Sequence, residues 1–180
     1  MKPQTLVYTI GHSTRTADAF VALLKAHGVG CLADIRTVPR SRHNPQFNGD
    51  ALAASLGDAG IEYVPMQALG GLRRPGKDSI NAGWRNTGFR GYADYMQTDA
   101  FQDALDALIA LSRQKRVAIM CAEAVPWRCH RSLVADALDA RGIAVVEILS
   151  GTNHRMHKLT PFARVEGERV TYPPAQGSLV

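Results

Sequence analysis

The sequence is short of several features that would settle its class at once. It has three cysteines, Cys31, Cys121 and Cys129. An odd count without regular spacing argues against a disulfide framework. There is no C-x-x-C pair, so a structural zinc site is not expected. No apolar run approaches the roughly 20 residues that a membrane-spanning helix needs. Met1–Thr5 does not open a signal-peptide pattern, and a cytoplasmic location is the expectation. Low-complexity segments are absent. No G-x-G-x-x-G follows the first apolar segment, which argues against hydride chemistry on a dinucleotide. Nor does one sign of charge dominate. Lys and Arg total 21 against 16 Asp and Glu, a net charge of +5. That excess suits an anionic partner without demanding one.

What is present is an ordinary globular composition, 46% hydrophobic and 21% charged in 180 residues. At roughly 150 residues per domain, this is one α/β domain over residues 1–180. Its core falls at about 5–150 and its tail at 151–180. A chain this long buries about 70% of its unfolded surface and needs no covalent staples.

One unit recurs three times: a helical pattern ends in glycine and a β-branched apolar segment follows. The junctions are Gly28-Val29, Gly60-Ile61 and Gly142-Ile143. Glycine just past a helix closes its last turn in the left-handed conformation. The strands read as Leu6–Ile10, Cys31–Ile35, Glu62–Pro65, Val117–Cys121 and Ala144–Leu149. Most are nearly continuous in apolar residues, as strands buried on both faces are. Between them Phe20, Leu23 and Leu24, then Phe101, Leu105 and Leu108, then Leu133, Val134 and Leu138 recur at helical spacing. Asp99 with Gln102 resembles a capping box, and Asp50 is a candidate cap for the second helix. Alternating strands and helices imply a mostly parallel five-stranded sheet covered on both faces. The fold class is three-layer α/β, Rossmann-like or flavodoxin-like, with an irregular C-terminal tail. In that tail Phe162–Val165 and Arg169–Tyr172 can form a hairpin, and Pro173–Val180 reads as frayed. Residues 66–90, rich in Gly, Arg and Asn, make a loop long enough to be functional. Where it ends, Phe89–Met96 reads as a helix start whose aromatics, Tyr95 above all, pack on the site.

In open parallel sheets, ligands bind beyond the carboxyl ends of the strands. Gly11–Arg15, Asp34–His43, the Gly/Arg loop and Cys121–Arg131 occupy those ends and hold nearly every His, Cys and clustered Arg. They carry four motifs: G-H-S at Gly11–Ser13, D-x-R-x-x-P-x-S-R at Asp34–Arg42, L-G-G at Leu69–Gly71, and C-A-E-x-x-P-x-x-C-H-R at Cys121–Arg131. In these motifs, from residue 5 to about 160, the chain resembles the DUF488 family. These are bacterial and archaeal α/β proteins whose name records an unknown function. The resemblance implies the fold; it carries over no reaction, cofactor or catalytic residue.

The chemistry therefore rests on the residues. Cys129 lies near the start of the last helix, between Arg128 and His130-Arg131. Helix N–H groups and nearby cations favour a thiolate, so Cys129 is a candidate nucleophile or redox thiol. Its plainer use is to pack the helix on the sheet. Cys121 ends a buried strand and can meet Cys129 across the loop in a reversible disulfide. The segment departs from the cysteine–loop–arginine cradle of phosphatases and rhodaneses: six residues separate Cys121 from Arg128, and Glu123 and Pro126 stand where glycines would. Glu123 is a candidate general base or nucleophile, or else an ion-pair partner for Arg128 or Arg131. Asp34 holds the matching place on the second strand. His12 reads as a proton shuttle or a hydrogen-bonded loop histidine. Ser13 reads as a helix cap or an anion donor, since no G-x-S-x-G elbow surrounds it. Arg36, Arg40, Arg42, Arg128, His130 and Arg131 complete an anion-binding set. No metal site is assigned and no cofactor is required, although the ligand types leave room for a divalent metal.

The leading expectation is an enzyme, a hydrolase or group transferase. It would act on an anionic, phosphorylated or nucleotide-like substrate through Glu123 or Asp34, assisted by His12, with Arg36, Arg40 and Arg131 on the phosphate. One alternative is a non-catalytic nucleic-acid-binding module, with Arg73, Arg74, Lys77, Arg85 and Arg90 tracking the backbone. Another is a thiol redox or sulfur-transfer protein using Cys129, with Cys121 as resolving partner. The expected partner is an anionic small molecule or nucleic acid, with no membrane; no apolar face isolates an oligomer interface.

Overall fold

Strands and helices alternate as the glycine junctions dictate. The computed structural model describes residues 5–175, so part of the stretch expected to fray lies outside the described residues. The chain runs β1 (Leu6–Gly11), α1 (Ala17–Ala26), β2 (Cys31–Asp34), α2 (Gly49–Asp58), β3 (Glu62–Pro65), α3 (Thr87–Tyr95) and α4 (Asp99–Gln114). It continues through β4 (Val117–Cys121), α5 (Arg131–Ala140), β5 (Ala144–Ile148), β6 (His154–Met156), β7 (Arg164–Glu166) and β8 (Arg169–Thr171). Gly28, Gly60 and Gly142 all take positive φ, at 68°, 74° and 76°. After each one the chain turns back on the helix: the N–H groups of Val29, Ile61 and Ile143 donate to the carbonyls of Leu24, Leu56 and Leu138. These bonds satisfy carbonyls that the helix end leaves open and aim the next segment into the sheet.

The sheet order is β3-β2-β4-β1-β5-β6. The five expected strands are all parallel. A sixth, β6, pairs antiparallel with β5 inside the segment expected to be irregular. Its three residues are all exposed, so no apolar alternation marks them in the sequence. The architecture is roughly Rossmann-like, but β4 lies between β2 and β1, an order that is neither the Rossmann nor the flavodoxin one. The hairpin forms as β7 and β8, turning at Gly167 with φ 63°.

Two apolar layers sandwich the sheet. Phe20 and Leu24 of α1 with Leu52 and Leu56 of α2 meet Ile10, Leu32 and Met120 on one face. Phe101, Leu105 and Leu108 of α4 with Leu133 and Leu138 of α5 meet Val7, Ala33 and Ile119 on the other. Successive β4 residues thus serve opposite layers, as a strand buried on both sides requires. Each fully buried leucine contributes about 1.5–3 kcal/mol relative to exposure. Two caps differ from expectation. Thr98, not Asp99, caps α4, its hydroxyl accepting from Phe101 N–H. Asn48 occupies the N-cap of α2, with Asp50 inside the first turn.

This order positions the site. The connections leaving β1 and β2 cover one face, whereas the connection leaving β4 covers the other. The chain therefore diverges beyond the carboxyl ends of β2 and β4, opening a crevice of the kind that holds ligands in open α/β sheets.

Candidate functional site

β4 ends at Cys121, a 3₁₀ turn spans Pro126–Arg128, and α5 starts at Arg131. This return brings Cys129 back over the end of β4, where its sulfur meets that of Cys121. The approach depends on Gly11 at the end of the neighbouring strand, where a Cβ would overlap the Glu123 carbonyl. The first N–H of α5, on Arg131, points to Cys129 Sγ at 3.5 Å. His130 Nε2 donates to the Ile35 carbonyl at 3.0 Å. That bond fixes the tautomer and leaves Nδ1 as an acceptor facing Cys129 Sγ at 3.6 Å. Burial, with the Arg131 charge nearby, pushes the His130 pKa down to about 4, so the ring is neutral at ordinary pH.

Arg131 is fully buried. Its Nε donates to Cys121 Sγ at 3.0 Å and Nη1 to Thr9 Oγ1 at 3.0 Å. Nη2 donates to the Glu123 carbonyl at 2.6 Å and the Ala124 carbonyl at 3.4 Å. Burial depresses its pKa to about 10, while Glu147 and Glu123 oppose that only across space. Among the described residues no carboxylate pairs with this guanidinium. A Cys121 thiolate is the one anion that the geometry would set directly on it. Arg131 is expected on a substrate phosphate; its donors are turned inward, to Thr9, Cys121 and the Glu123 and Ala124 carbonyls. The loop also presents carbonyls rather than N–H groups to its arginine, the reverse of an anion cradle.

Both cysteines line a cleft of about 390 Å³ between the loops that follow β2 and β4. Phe89 and Tyr92 of α3 form its apolar wall, with Arg36, Arg40 and Arg128 also on the lining, whereas Tyr95 is off the lining and donates to the Ala68 carbonyl at 2.6 Å. The L-G-G turn closes one side. A side chain at Gly70 would overlap Thr37, and one at Gly71 would press on the His130 ring. Thr37 Oγ1 donates to the Gly71 carbonyl at 2.8 Å, and Tyr92 Oη to the Leu69 carbonyl at 2.7 Å. The next residue, Leu72, stands at φ 60° with its side chain 86% exposed at the cleft. A leucine in that conformation costs about 1–2 kcal/mol.

The other expected residues fall in different settings. Asp34 is buried, and Arg36 grips it through Nε at 2.9 Å and Nη2 at 2.6 Å, with Tyr63 Oη donating at 2.7 Å. Both carboxylate oxygens are thus occupied, which fits a fastening between β2 and β3 better than an acid/base. His12 is buried and stacks on Phe47 with ring centres 4.4 Å apart. Burial lowers its pKa, and its Nδ1 donates to the Ser13 carbonyl at 2.8 Å. Ser13, at φ 50°, donates its N–H to the Ala122 carbonyl; the cap of α1 is Thr16, not Ser13. Glu123 is exposed on the cleft lining. Arg40 and Arg128 are exposed there too, whereas Arg42 is exposed away from the lining. Arg73 stacks on Tyr95 at 3.6 Å and Arg90 donates to the Trp84 carbonyl at 3.0 Å, so both are engaged within the fold. Among the described residues no three His, Cys, Asp or Glu side chains converge as a metal set, and no helix is long and apolar enough to cross a membrane. Sequence reasoning missed Leu72, Thr37 and Tyr63. The L-G-G spacing was the available signal for Leu72, because two glycines against neighbouring loops force the following residue outward.

Fold and site together define an α/β protein with a cysteine pair at the switch point of a parallel sheet. The chain belongs to the DUF488 family, a domain of unknown function, whose family model matches residues 16–138. That span holds three of the four motifs and stops short of the tail; the G-H-S turn precedes it. No curated protein and no solved structure matches the chain.

Proposed function

We propose that the protein is a thiol–disulfide enzyme acting through Cys129 and Cys121. The observation that carries this reading is the meeting of the two sulfurs at the floor of a cleft, with the Arg131 guanidinium on one and the α5 N-terminus on the other. Guanidinium and helix N–H groups stabilise thiolates, the reactive form. In the reduced protein the Cys129 thiolate attacks one sulfur of a substrate disulfide, and the first substrate thiolate leaves and takes a proton. Cys121, held as thiolate by Arg131, then attacks Cys129 Sγ and expels the second substrate thiol. One substrate disulfide is reduced to two thiols while the protein dithiol is oxidised to the Cys121–Cys129 disulfide. An external dithiol reverses the change. The hydrolase or transferase reading through Asp34 has less support, since that carboxylate is already fully engaged.

The test is a trapping experiment with bis(2-hydroxyethyl) disulfide. Reduced Cys121→Ser protein should accumulate one mixed disulfide, on Cys129, by intact mass and peptide mapping. Reduced wild type should instead end as the internal disulfide, and Cys129→Ser should form neither product. Absence of the Cys129 adduct in folded Cys121→Ser protein overturns the reading.

A further inference from the structure

The cleft above the cysteines combines two features that a bare thiol pair does not require. Its lips are apolar and exposed: Val38 is 57% and Leu72 86% accessible, on adjoining loops that touch through Thr37 and Gly71. Leu72 is held there in a left-handed backbone conformation that favours glycine. Strain of this kind persists where the surroundings impose it, and the Gly70 and Gly71 contacts with Thr37 and His130 do so here. The second feature is charge. Arg40 and Arg128 are exposed on the lining and, among the described residues, neither pairs with a carboxylate. Arg36 lines the same cleft, its Nη1 buried without a partner although the rest of its guanidinium is bound. Glu123 is the single acidic residue on the lining.

We infer that the substrate is a small sulfur compound with an apolar body and an acid group. The body lies against Phe89 and Tyr92 under the Leu72 and Val38 lips, and the acid group pairs with Arg40 or Arg128. A volume of about 390 Å³ matches a small molecule, at the lower end of the roughly 300–1,000 Å³ of ligand pockets. Arginine suits the acid because its planar fork matches a carboxylate or sulfonate. This inference rests on the thiol–disulfide reading and adds the chemistry of the disulfide that enters.

The test compares reduced protein with three disulfide probes: 5,5′-dithiobis(2-nitrobenzoate), aromatic and anionic; 4,4′-dithiodipyridine, aromatic and neutral; and cystamine, aliphatic and cationic. Each rate is divided by that probe's rate with 2-mercaptoethanol, an uncharged thiol, which removes intrinsic reactivity. The normalised rate should be about tenfold higher for the anionic than for the neutral aromatic probe, the size of one well-placed charge pair. In Arg40→Gln/Arg128→Gln the ratio of the anionic to the neutral normalised rate should fall to about one, whatever happens to the neutral probe's own rate. Leu72→Gly should slow both aromatic probes several-fold and leave cystamine unchanged; glycine accepts φ 60°, so its urea midpoint should not fall. Equal normalised rates for all probes, or a preference that survives in the double variant, overturns the inference while the thiol reading stands. Inertness of Cys129 to every probe overturns both.

Discussion

Arg131 is the residue on which the account turns. Its sequence neighbours suggest a surface cation, yet it is enclosed, and its donors tie Thr9 on β1, Cys121 on β4 and two loop carbonyls into one knot. Replacing it with methionine keeps volume and removes every bond. The Glu123 and Ala124 carbonyls would then lose their donor, at a cost of about 2–4 kcal/mol. Urea unfolding of reduced Arg131→Met should show that loss, and Arg131→Lys should recover part of it. The same variant should also hold its disulfide more firmly against a thiol buffer than wild type does, because the Cys121 thiolate loses its cation. A merely structural arginine would lower stability and leave that balance untouched. The sequence allowed the cysteine pair, because the seven residues between a strand end and a helix start leave the two within reach of each other. The enclosure of Arg131 was not legible, because a sequence shows charge and not burial.

At the scale of elements, the glycine junctions were legible because they are local: the left-handed residue and the closing bonds lie within one turn of chain. Strand order was not, since it depends on which face each helix covers. The tail was the least legible part, because its order comes from side chains of distant elements. Asp136 of α5 accepts from His157 Nε2 at 2.8 Å, Thr160 Oγ1 at 2.7 Å and Tyr172 Oη at 2.7 Å. His157 Nδ1 donates to Glu147 of β5 at 3.0 Å, and Arg155 pairs with the same carboxylate. Burial opposes charge on His157, but the hydrogen bonds to Asp136 and Glu147 prevail and lift its pKa to about 9, against an ordinary 6.5. The folded state therefore keeps a proton that the unfolded chain releases. That contribution is fully present below pH 6.5 and is lost as pH rises to about 9. At about 1.4 kcal/mol per unit it is on the order of 3 kcal/mol. The urea midpoint should fall between pH 6.5 and 9 in wild type and fall much less in His157→Gln. Equal slopes for the two proteins would show that His157 does not hold the proton.

At the scale of the molecule, the sheet order gathers the chemistry. Because β4 sits between β1 and β2 but sends its chain to the opposite face, the motif after β4 meets the motif after β2 across the crevice, and the L-G-G turn caps them. Three sequence-distant segments thereby surround one pair of sulfurs. The third cysteine lies apart: Cys31 is buried in β2, and burial pushes its thiol up to about 11. The most direct measurement is differential alkylation with peptide mapping of the folded protein across a graded series of thiol/disulfide buffers. Cys121 and Cys129 should pass together and reversibly between reduced and linked forms, with the circular dichroism unchanged and Cys31 unlabelled until denaturant is added. A pair that never links in the folded protein, or that opens only on unfolding, would contradict a catalytic role and leave the two cysteines as packing.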